Sequence, residues 1–277
     1  MTLPAIVAAR RFDAAAHAPF FIDDERVGWI RHSDLETLRR WPFFAIDDAV
    51  RLHMESVDAR TEALREVVAA LHAEGKIPGW RDEIYAIRNC FDAPPLAFIE
   101  RAASRFFGTM TYAVHLNGIV KYRDKAQQLW IARRSDTKAT DPGMLDNVVA
   151  GGIGWGLDLM PTLVKECWEE AGMSAELAST ATPGGTFHVL QTLLEGTQAE
   201  QIFVFDVALP PDFTPRNQDG EVGEHRLARI EDVARWIEEG ALTVDASLAT
   251  LDCMLRHRWL DEDACEGIAA LYEPPHI

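Results

Sequence analysis

Cysteine and long apolar runs are both scarce in this chain of 277 residues. The four cysteines, Cys90, Cys167, Cys253 and Cys265, stand far apart and form no C-x-x-C pair or zinc-ligand spacing. A disulfide framework is therefore not expected, which favours a reducing, cytoplasmic compartment. The apolar, uncharged stretch of residues 106–120 is shorter than the roughly 20 residues that a membrane-spanning helix needs. We expect no membrane segment.

Basic side chains are also few relative to acidic ones. The chain has 27 lysines and arginines against 44 aspartates and glutamates, a net charge of −17, which argues against a general nucleic-acid binder. Residues 1–150 hold 20 basic and 21 acidic side chains, whereas residues 151–277 hold 7 and 23. The boundary between these two parts of the chain could bind an anion and cations together, although solvated acidic surface is the commoner cause of such an uneven charge distribution.

Apolar periodicity predicts a small α+β domain over residues 1–107. The segment Phe20–Arg31 has the pattern of a β-hairpin and Asp58–Glu74 that of an amphipathic helix. Glu83–Asn89 is predicted to be a strand, and Leu96–Phe106, which follows two prolines, a further helix.

A second domain, residues 108–277, alternates strand and helix patterns. A mixed sheet with helices on both sides is the simplest architecture for such a series. The predicted strands are Tyr112–Tyr122, Leu129–Arg133, Val148–Ile153, Thr186–Leu194, Gln201–Leu209 and Arg226–Ile230, and the predicted helices are Pro161–Ala171, Glu231–Glu239, Ser247–His257 and Asp261–Tyr272.

The most informative segment is Gly151–Met173, which holds three glutamates at helical spacing. Glu166, Glu169 and Glu170 are at i, i+3 and i+4, within an arc of about 100° on one wall of the helix. Like charges at this spacing cost roughly 0.2–0.5 kcal/mol per pair. Three of them beside a glycine turn indicate a divalent cation held by hard oxygen ligands, such as magnesium, manganese or calcium. The alternative is a solvated acidic face.

This segment resembles the Nudix box, G-x5-E-x7-R-E-U-x-E-E-x-G-U, in which U is aliphatic. Residues 165–173 match its second half, with Cys167 at the first aliphatic position, and Gly151 begins the glycine turn. The resemblance implies a Nudix α/β/α sandwich with a mixed sheet behind the small α+β domain. It also implies that Glu166, Glu169 and Glu170, with the carbonyl of Gly151, hold Mg²⁺, Mn²⁺ being an alternative ion.

Two positions depart from the box. Its first glutamate falls at Leu157, and Lys165 replaces the arginine, which keeps a cation but loses the planar fork that orients a carboxylate. These departures leave open a catalytically degenerate Nudix-fold protein that binds a diphosphate in a regulatory role. A Nudix-type isomerase of prenyl diphosphates needs a cysteine near the box, but Cys167 is expected to face the core.

The resemblance extends beyond the box to most of the chain. Trp130–Gly152, Tyr112–Asn117, Val27–Arg31 and Asn217–Glu221 look like a Nudix subfamily of plants, yeast and bacteria whose N-terminal domain is related to thiamin pyrophosphokinase. It implies a hydrolase that removes phosphate from thiamine diphosphate or from its oxidised, damaged analogues by metal-activated water. Hydrolysis of another nucleoside diphosphate derivative is the alternative.

Three cationic side chains precede the glycine turn and are candidates for binding the diphosphate. They are Arg133, Arg134 and Lys138, and the alternative is that they are solvated at a strand end. Because side chains alternate along a strand, only one of the two arginines faces the site, and we favour Arg134. Asn147 is a further candidate, or a turn residue with no such role.

Hydrolysis also needs a base that activates water. Besides the box residues Glu166 and Glu169, the resemblance points to a glutamate on a later loop, and Glu221 and Glu224 in QDGEVGEHRL are the candidates. We favour Glu221 because it lies in the subfamily string. The alternative is that both are ordinary loop acids.

The N-terminal domain has no catalytic cluster of its own and is expected to shape substrate choice. Its candidate wall residues, which could equally be its own core, are Trp29, Arg31, Trp41, Phe43, Phe44 and Trp80. The expected partner is a small-molecule diphosphate, with no nucleic acid and no membrane, and a homodimer is left open.

Overall fold

The structure, a computed structural model, describes residues 3–122, 126–260 and 267–275. Up to residue 107 the helices and strands are α1 (Pro4–Ala8), β1 (His17–Ile22), β2 (Glu25–Arg31), α2 (Leu35–Leu38), β3 (Phe44–Ile46), β4 (Val50–Leu52), α3 (Val57–Ala73), β5 (Ile84–Ile87), β6 (Ala97–Glu100) and α4 (Ser104–Phe107). Strands β1–β4 form one sheet in the order β2-β1-β4-β3, and β5 pairs with β6. The predicted α+β character of this region is confirmed.

Helix α3 is the main support of the N-terminal sheets. The Ser56 side chain caps its first turn by accepting a hydrogen bond from the amide of Ala59, and Gly75, with φ +73°, follows its end. Its apolar face, which includes Leu64, Val67 and Leu71, is buried against the strands. Burying a side chain of this size stabilises the fold by about 1.5–3 kcal/mol, so this face accounts for the position of the helix.

The helix predicted over Leu96–Phe106 is wrong, because its first half is strand β6. The amide of Leu96 donates to the carbonyl of Ile87, and β6 then continues antiparallel to β5. Ala97 and Ile99 are buried at alternate positions in the same core as α3. The pairing with β5 outweighs the local helical pattern in the first half, and only the second half is helical, as a 3-10 turn over Arg101–Ala103 followed by α4.

The second part of the chain is a sandwich built on one seven-stranded sheet. Its helices and strands are β7 (Met110–Val120), β8 (Gln128–Arg134), β9 (Leu145–Asn147), β10 (Val149–Gly152), α5 (Leu159–Ala171), α6 (Ala175–Ala178), β11 (Thr182–Leu193), β12 (Gly196–Leu209), β13 (Val222–Arg229), α7 (Ile230–Glu238) and α8 (Val244–Arg256). The main strand order is β11-β12-β7-β8-β13, with β10 beside β7 and β9 beside β8. The β12–β7 pair is parallel and the other pairs are antiparallel, so the sheet is mixed.

Helices cover both faces of this sheet. On one face α5 buries Leu163 and Cys167 against side chains of β7 and β12. On the other face α7 and α8 pack against Ile202 and Val204 of β12, together with Ile6 of α1. The predicted α/β/α sandwich with a mixed sheet is therefore confirmed.

The first residues of the chain pack on the sandwich rather than on the N-terminal sheets. Ile6 belongs to the core under α8, and the carbonyls of Ala9 and Arg11 accept hydrogen bonds from the amides of Leu190 and Thr192 on β11. The division of the chain at residue 107 remains a prediction.

The end of the chain is described only in part. The predicted helix Asp261–Tyr272 lies largely outside the described residues, and Ile268–Leu271 within it forms a short 3-10 helix. Cys265 also lies outside the described residues, and the other three cysteines are free thiols. Of the helices in the described ranges, none has the length and apolarity to cross a membrane.

Candidate active site

A cavity of about 420 Å³ lies between the N-terminal part and the sheet of the sandwich. The sheet contributes alternate residues of β7 that include Thr111 and His115, together with Ala150–Gly152 of β10. The N-terminal part supplies the facing wall with residues of the segments 76–85 and 101–106. The volume is within the usual range of small-molecule sites.

Helix α5 borders this cavity from behind β10. Its buried side chains face the sheet, and it ends at Gly172, which has the left-handed φ of +61° that the sequence pattern predicts. The three glutamates do not line the cavity directly, since Ala150–Gly152 stand between them and it.

Glu170 is the most buried of these carboxylates. Its Oε2 accepts a hydrogen bond of 2.8 Å from the amide of Ala150, and its Oε1 is 3.5 Å from Nζ of Lys138. Burial, which disfavours the charged form, raises the pKa of Glu170 to about 8 despite these two partners. A buried carboxylate of this kind is best stabilised by a further cation.

Glu166 lies directly against Gly151. A Cβ on Gly151 would overlap the Glu166 side chain and lie 2.6 Å from its Oε2, so only glycine leaves the room that this carboxylate occupies. Burial raises the pKa of Glu166, and the neighbouring Lys165 acts in the opposite direction. The glycine turn and the glutamate helix are thus one unit.

Lys165 forms ion pairs with the two less buried carboxylates. Its Nζ is 2.6 Å from Oε2 of Glu169, one helical turn away, and 3.1 Å from Oε1 of Glu166. The replacement of the box arginine therefore keeps a cation on both glutamates, although without a planar fork.

The donor set fits a hard divalent cation. Glu166, Glu169 and Glu170 offer carboxylate oxygens, and burial raises the pKa of Glu166 and of Glu170. Leu157, at the position of the first box glutamate, is 40% exposed in a loop and offers no ligand atom. These three side chains, with the Gly151 carbonyl as a fourth donor, remain the predicted ligands of such an ion.

The two candidate arginines point in different directions, as alternation along β8 requires. Arg134 lines the cavity, and its guanidinium donates to Asp146 Oδ2 at 2.7 Å and to the carbonyl of Thr140. Arg133 lies outside the cavity and pairs with Asp136 at 2.6 Å. Lys138 lines the cavity between Glu170 and Glu221.

Asn147 lies under the cavity floor rather than on it. Its Oδ1 is 2.8 Å from Nδ1 of His115, and its Nδ2 donates to Asn117 and to Thr250. These bonds occupy the amide, so Asn147 supports His115, which does line the cavity.

The two candidate bases are also separated by the structure. Glu221 lines the cavity and is bonded to Lys138 and, at 3.5 Å, to Arg81. Burial raises the pKa of Glu221, but the two cations outweigh it and the net shift is downward. Glu224 is exposed on β13 and pairs with Arg226 at 3.1 Å.

Several cavity residues are not predicted by the sequence motifs. Tyr85 and Arg101 of the N-terminal part lie over Gly152, where a Cβ would overlap the Tyr85 hydroxyl. Gln198 and Glu200 are polar residues at alternate positions of β12, a period-two signal that could have indicated them. Nothing in the sequence distinguishes Tyr85 or Arg101 from other residues of their region.

The predicted aromatic wall is wrong for the cavity that the structure describes. None of Trp29, Arg31, Trp41, Phe43, Phe44 and Trp80 is among the described residues that line it. Trp41 and Phe44 are buried in the N-terminal core, and Trp80 packs on His72 with ring centroids 4.8 Å apart. These aromatic side chains support their own domain.

The site is suited to one kind of chemistry. Hard oxygen donors stand beside lysine and arginine side chains, and a phosphorus anhydride needs both, because its negative charge must be neutralised before water can attack. Cys167 is buried, which raises its pKa to about 12, so it offers no thiolate for isomerase chemistry. The fold and the site together define the class of diphosphate hydrolases.

Comparison with known proteins identifies the family. The NUDIX domain model matches residues 117–247, and a domain of unknown function, DUF4743, matches residues 2–111. Two Arabidopsis thaliana proteins are similar over most of the chain: "Nudix hydrolase 20, chloroplastic" is 36% identical over 92% of this chain and 71% of its own length, and "Nudix hydrolase 24, chloroplastic" is 39% identical over 86% and 67%. The chain belongs to the Nudix hydrolase family.

Among solved structures, the NUDIX domain of Shewanella oneidensis NrtR, complexed with ADP ribose, matches with a TM-score of 0.42 at 13% identity. That match covers 56% of this chain and 91% of the other. Family membership confirms the predicted hydrolase of phosphorus anhydrides and implies a divalent metal.

The expectation of a cytoplasmic protein is contradicted by these relatives. Both Arabidopsis proteins are named as chloroplastic. The inference rested on cysteine usage, which separates oxidising from reducing compartments but does not separate one reducing compartment from another.

Proposed function

We propose that this chain is a Mg²⁺-dependent hydrolase of a small organic diphosphate, with thiamine diphosphate or its oxidised, damaged analogues as the substrate. The observation that supports this most is the cavity, which lies between the glycine turn that packs on the glutamate helix and a wall supplied by the N-terminal part. Its volume of about 420 Å³ suits one heterocycle with a diphosphate.

The charges around the cavity support a diphosphate substrate. Arg134 and Lys138 line it on the side of the sheet, and Arg81 and Arg101 on the side of the N-terminal part. All four are paired with carboxylates, among them Glu221, so the cations are fixed in place before a ligand arrives. A diphosphate would replace carboxylate partners of these cations with its own oxygens.

In the proposed reaction the residues of the chain have separate roles. Arg134 and Lys138 bind the diphosphate, and Glu221, whose pKa is lowered, is ionised at neutral pH and accepts the proton of the attacking water. A Mg²⁺ ion bound by Glu166, Glu169 and Glu170 would supply positive charge to the phosphate oxygens and make a water molecule more acidic.

The N-terminal domain is proposed to be of the type related to thiamin pyrophosphokinase, and to restrict the substrate to a small heterocycle. The partner of the chain is then a small molecule rather than a nucleic acid or a membrane, and a homodimer stays a prediction. The wall residues that would act in this way are those of the segments 76–85 and 101–106.

The test is phosphate release with Glu169→Gln against a matched control. Glu169 is partly exposed, so the variant is expected to fold normally while turnover with Mg²⁺ falls by orders of magnitude. Glu238→Gln, an exposed residue in the last turn of α7, makes the same chemical change away from the site. The substrate panel comprises thiamine diphosphate, its oxo and oxy analogues, and nucleoside diphosphate derivatives.

Two results would contradict the proposal. Equal turnover of the wild type and Glu169→Gln would show that Glu169 does not bind the metal ion that hydrolysis needs. Tight binding of a diphosphate by the wild type, without Mg²⁺-dependent phosphate release, would indicate the degenerate binding protein instead.

A further inference from the structure

Three polar side chains at one end of the cavity belong neither to the glutamate helix nor to the lysine and arginine side chains that are proposed to bind the diphosphate. Gln198 and Glu200 are on β12, and Asp245 is in the first turn of α8. All three line the cavity. The proposed hydrolysis gives them no role.

These residues are remote from the carboxylates of α5. Glu200 is paired with Thr111 on β7, whereas Ala150, whose amide binds Glu170, is paired with His115 on the same strand. Thr111 and His115 are four positions apart, which corresponds to roughly 13 Å at about 3.3 Å per strand residue. A ligand with its diphosphate near α5 would therefore place its other end here.

The carboxamide of Gln198 is fully used by protein partners. Its Nε2 donates to Oε2 of Glu200 at 2.7 Å and to Oδ2 of Asp245 at 3.0 Å. Its Oε1 accepts from Nε2 of Gln191 at 2.7 Å. Gln198 thus fixes the two carboxylates but has no further N–H for their other oxygens.

Three buried oxygen atoms around this end find no hydrogen-bond partner among the described residues. They are Oδ1 of Asp245, Oγ1 of Thr197 and Oγ of Ser104. Thr197 and Ser104 are 1% and 3% exposed, and both line the cavity. Buried polar groups in native proteins are nearly always hydrogen-bonded, so these atoms point to a ligand that supplies the partners.

The unpaired Oδ1 of Asp245, on a carboxyl group whose Oδ2 accepts from Gln198, suits a ligand that donates. Burial and then the negative charge of Glu200 raise the pKa of Asp245 well above its usual range. The positive charge that contributes most is Arg105, whose side chain is already paired with Glu195. An N–H donor, neutral or cationic, would meet an acceptor here that the protein leaves unpaired.

The N-terminal part also contributes apolar lining residues to the cavity, namely Ile77, Pro78 and Phe106. Such a wall suits the face of a flat ring. We propose that Asp245, oriented by Gln198, is a specificity-determining residue that accepts hydrogen bonds from an amino-substituted heterocycle at the end of the substrate remote from the diphosphate. The inference rests on the proposed function, because it assigns a second half to the same cavity.

The first test measures heterocycle binding without phosphate or metal. Calorimetry with thiamine and with adenosine compares the wild type, Asp245→Asn and the control Asp212→Asn, which alters an exposed loop carboxylate. In the asparagine one carboxylate oxygen is replaced by an NH2 group, so when its oxygen accepts from Gln198 its NH2 group faces the donor of the ligand. We expect Asp245→Asn to weaken binding of at least one probe by about 10- to 100-fold, since a buried donor of the ligand would lose its acceptor.

The two probes identify the ring. Weakening with thiamine alone assigns an aminopyrimidine, and weakening with adenosine alone assigns an aminopurine. Thr197→Val, a nearly isosteric change at a hydroxyl without a protein partner, is a second variant whose folding does not depend on Asp245, and it should weaken the same probe several-fold. Wild-type affinity in both variants, or no binding of either probe by the wild type, would overturn the proposal.

A kinetic comparison separates this inference from the proposed hydrolysis. With Mg²⁺, Asp245→Asn should lower kcat/KM for the heterocyclic diphosphate and leave it unchanged for methyl diphosphate, which lacks the ring. An equal loss with both substrates would contradict a role in ring recognition. If the wild type hydrolyses neither but still binds a probe through Asp245, the proposed function fails and the binding site remains.

Discussion

Replacing Gly151 by alanine tests whether the glycine turn and the metal carboxylates form one unit. The new Cβ would overlap the side chain of Glu166 and lie 2.6 Å from its Oε2. Gly151 is a strand residue without a positive φ, so the backbone itself accepts alanine. The atoms that must move are the flexible end of Glu166, which has to leave its present position.

We expect Gly151→Ala to weaken metal binding and to change the stability of the fold very little. An altered Glu166 rotamer costs about 0.5–1.5 kcal/mol, and replacing glycine by alanine returns about 0.4–1 kcal/mol by restricting the unfolded chain. The free energy of unfolding without metal should therefore change by about 1 kcal/mol or less. Displacing one ligand or its support typically weakens metal affinity or activity by about 10- to 100-fold.

Gly154 provides the matched control for this experiment. A Cβ there has its nearest neighbour at 3.9 Å, the carbonyl of Ile84, and φ is not positive. Calorimetric titration with Mn²⁺ and thermal unfolding with and without Mn²⁺ would compare Gly151→Ala, Gly154→Ala and the wild type. If Gly151→Ala binds Mn²⁺ as tightly as the control does, Glu166 does not hold the metal from its present position.

Three further predictions concern other contacts of the structure. Gly152→Ala would displace the Tyr85 hydroxyl, so kcat/KM should fall by about tenfold or more while Mn²⁺ affinity stays at the wild-type value; loss of Mn²⁺ affinity would contradict this separation. Arg256→Gln leaves the buried Asp206 without its 2.5 Å ion pair, and chemical denaturation should show a loss of about 3–5 kcal/mol. Burial raises the pKa of Asp206, but Arg256 lowers it further, so the net shift is downward. The stabilisation by this ion pair is therefore complete above about pH 4 and is lost as the pH falls through the lowered pKa. An Asp206→Asn variant whose stability falls with acid as the wild type's does would refute this. Gly108→Ala, at φ +60° and against the backbone of β2, should cost at least about 1–3 kcal/mol in thermal unfolding, and a wild-type Tm would show that this close approach is dispensable.

The sequence predicts the parts of the site that depend on local structure. The spacing of Glu166, Glu169 and Glu170 requires only a helix, and the helix forms because an apolar face with the same period packs on the sheet. The separation of Arg133 from Arg134 needs only alternation along a strand. Such inferences hold because they involve neighbours along the chain.

The sequence predicts less where distant segments meet. Leu96–Phe106 has a helical pattern, but pairing with β5 makes its first half a strand. Glu221 and Glu224 are three residues apart. The β13–β8 pairing is irregular between Val222 and Glu224, so the alternation of a regular strand does not say which of the two side chains faces the cavity. Neither the partner strand nor the irregularity is visible in local composition.

Contacts between distant segments also explain the outcome for the cavity wall. The N-terminal part supplies a wall, as predicted, but the aromatic residues predicted to form it do not. Aromatic side chains are large and apolar, so a small domain uses them first for its own core, as Trp41 and Phe44 show. The side chains left for a polar cavity are those that can border water and charge, such as Arg101 and Tyr85. In a two-part site, the wall of the substrate cavity is therefore better sought among polar residues near strand ends than among the most apolar residues of the covering domain.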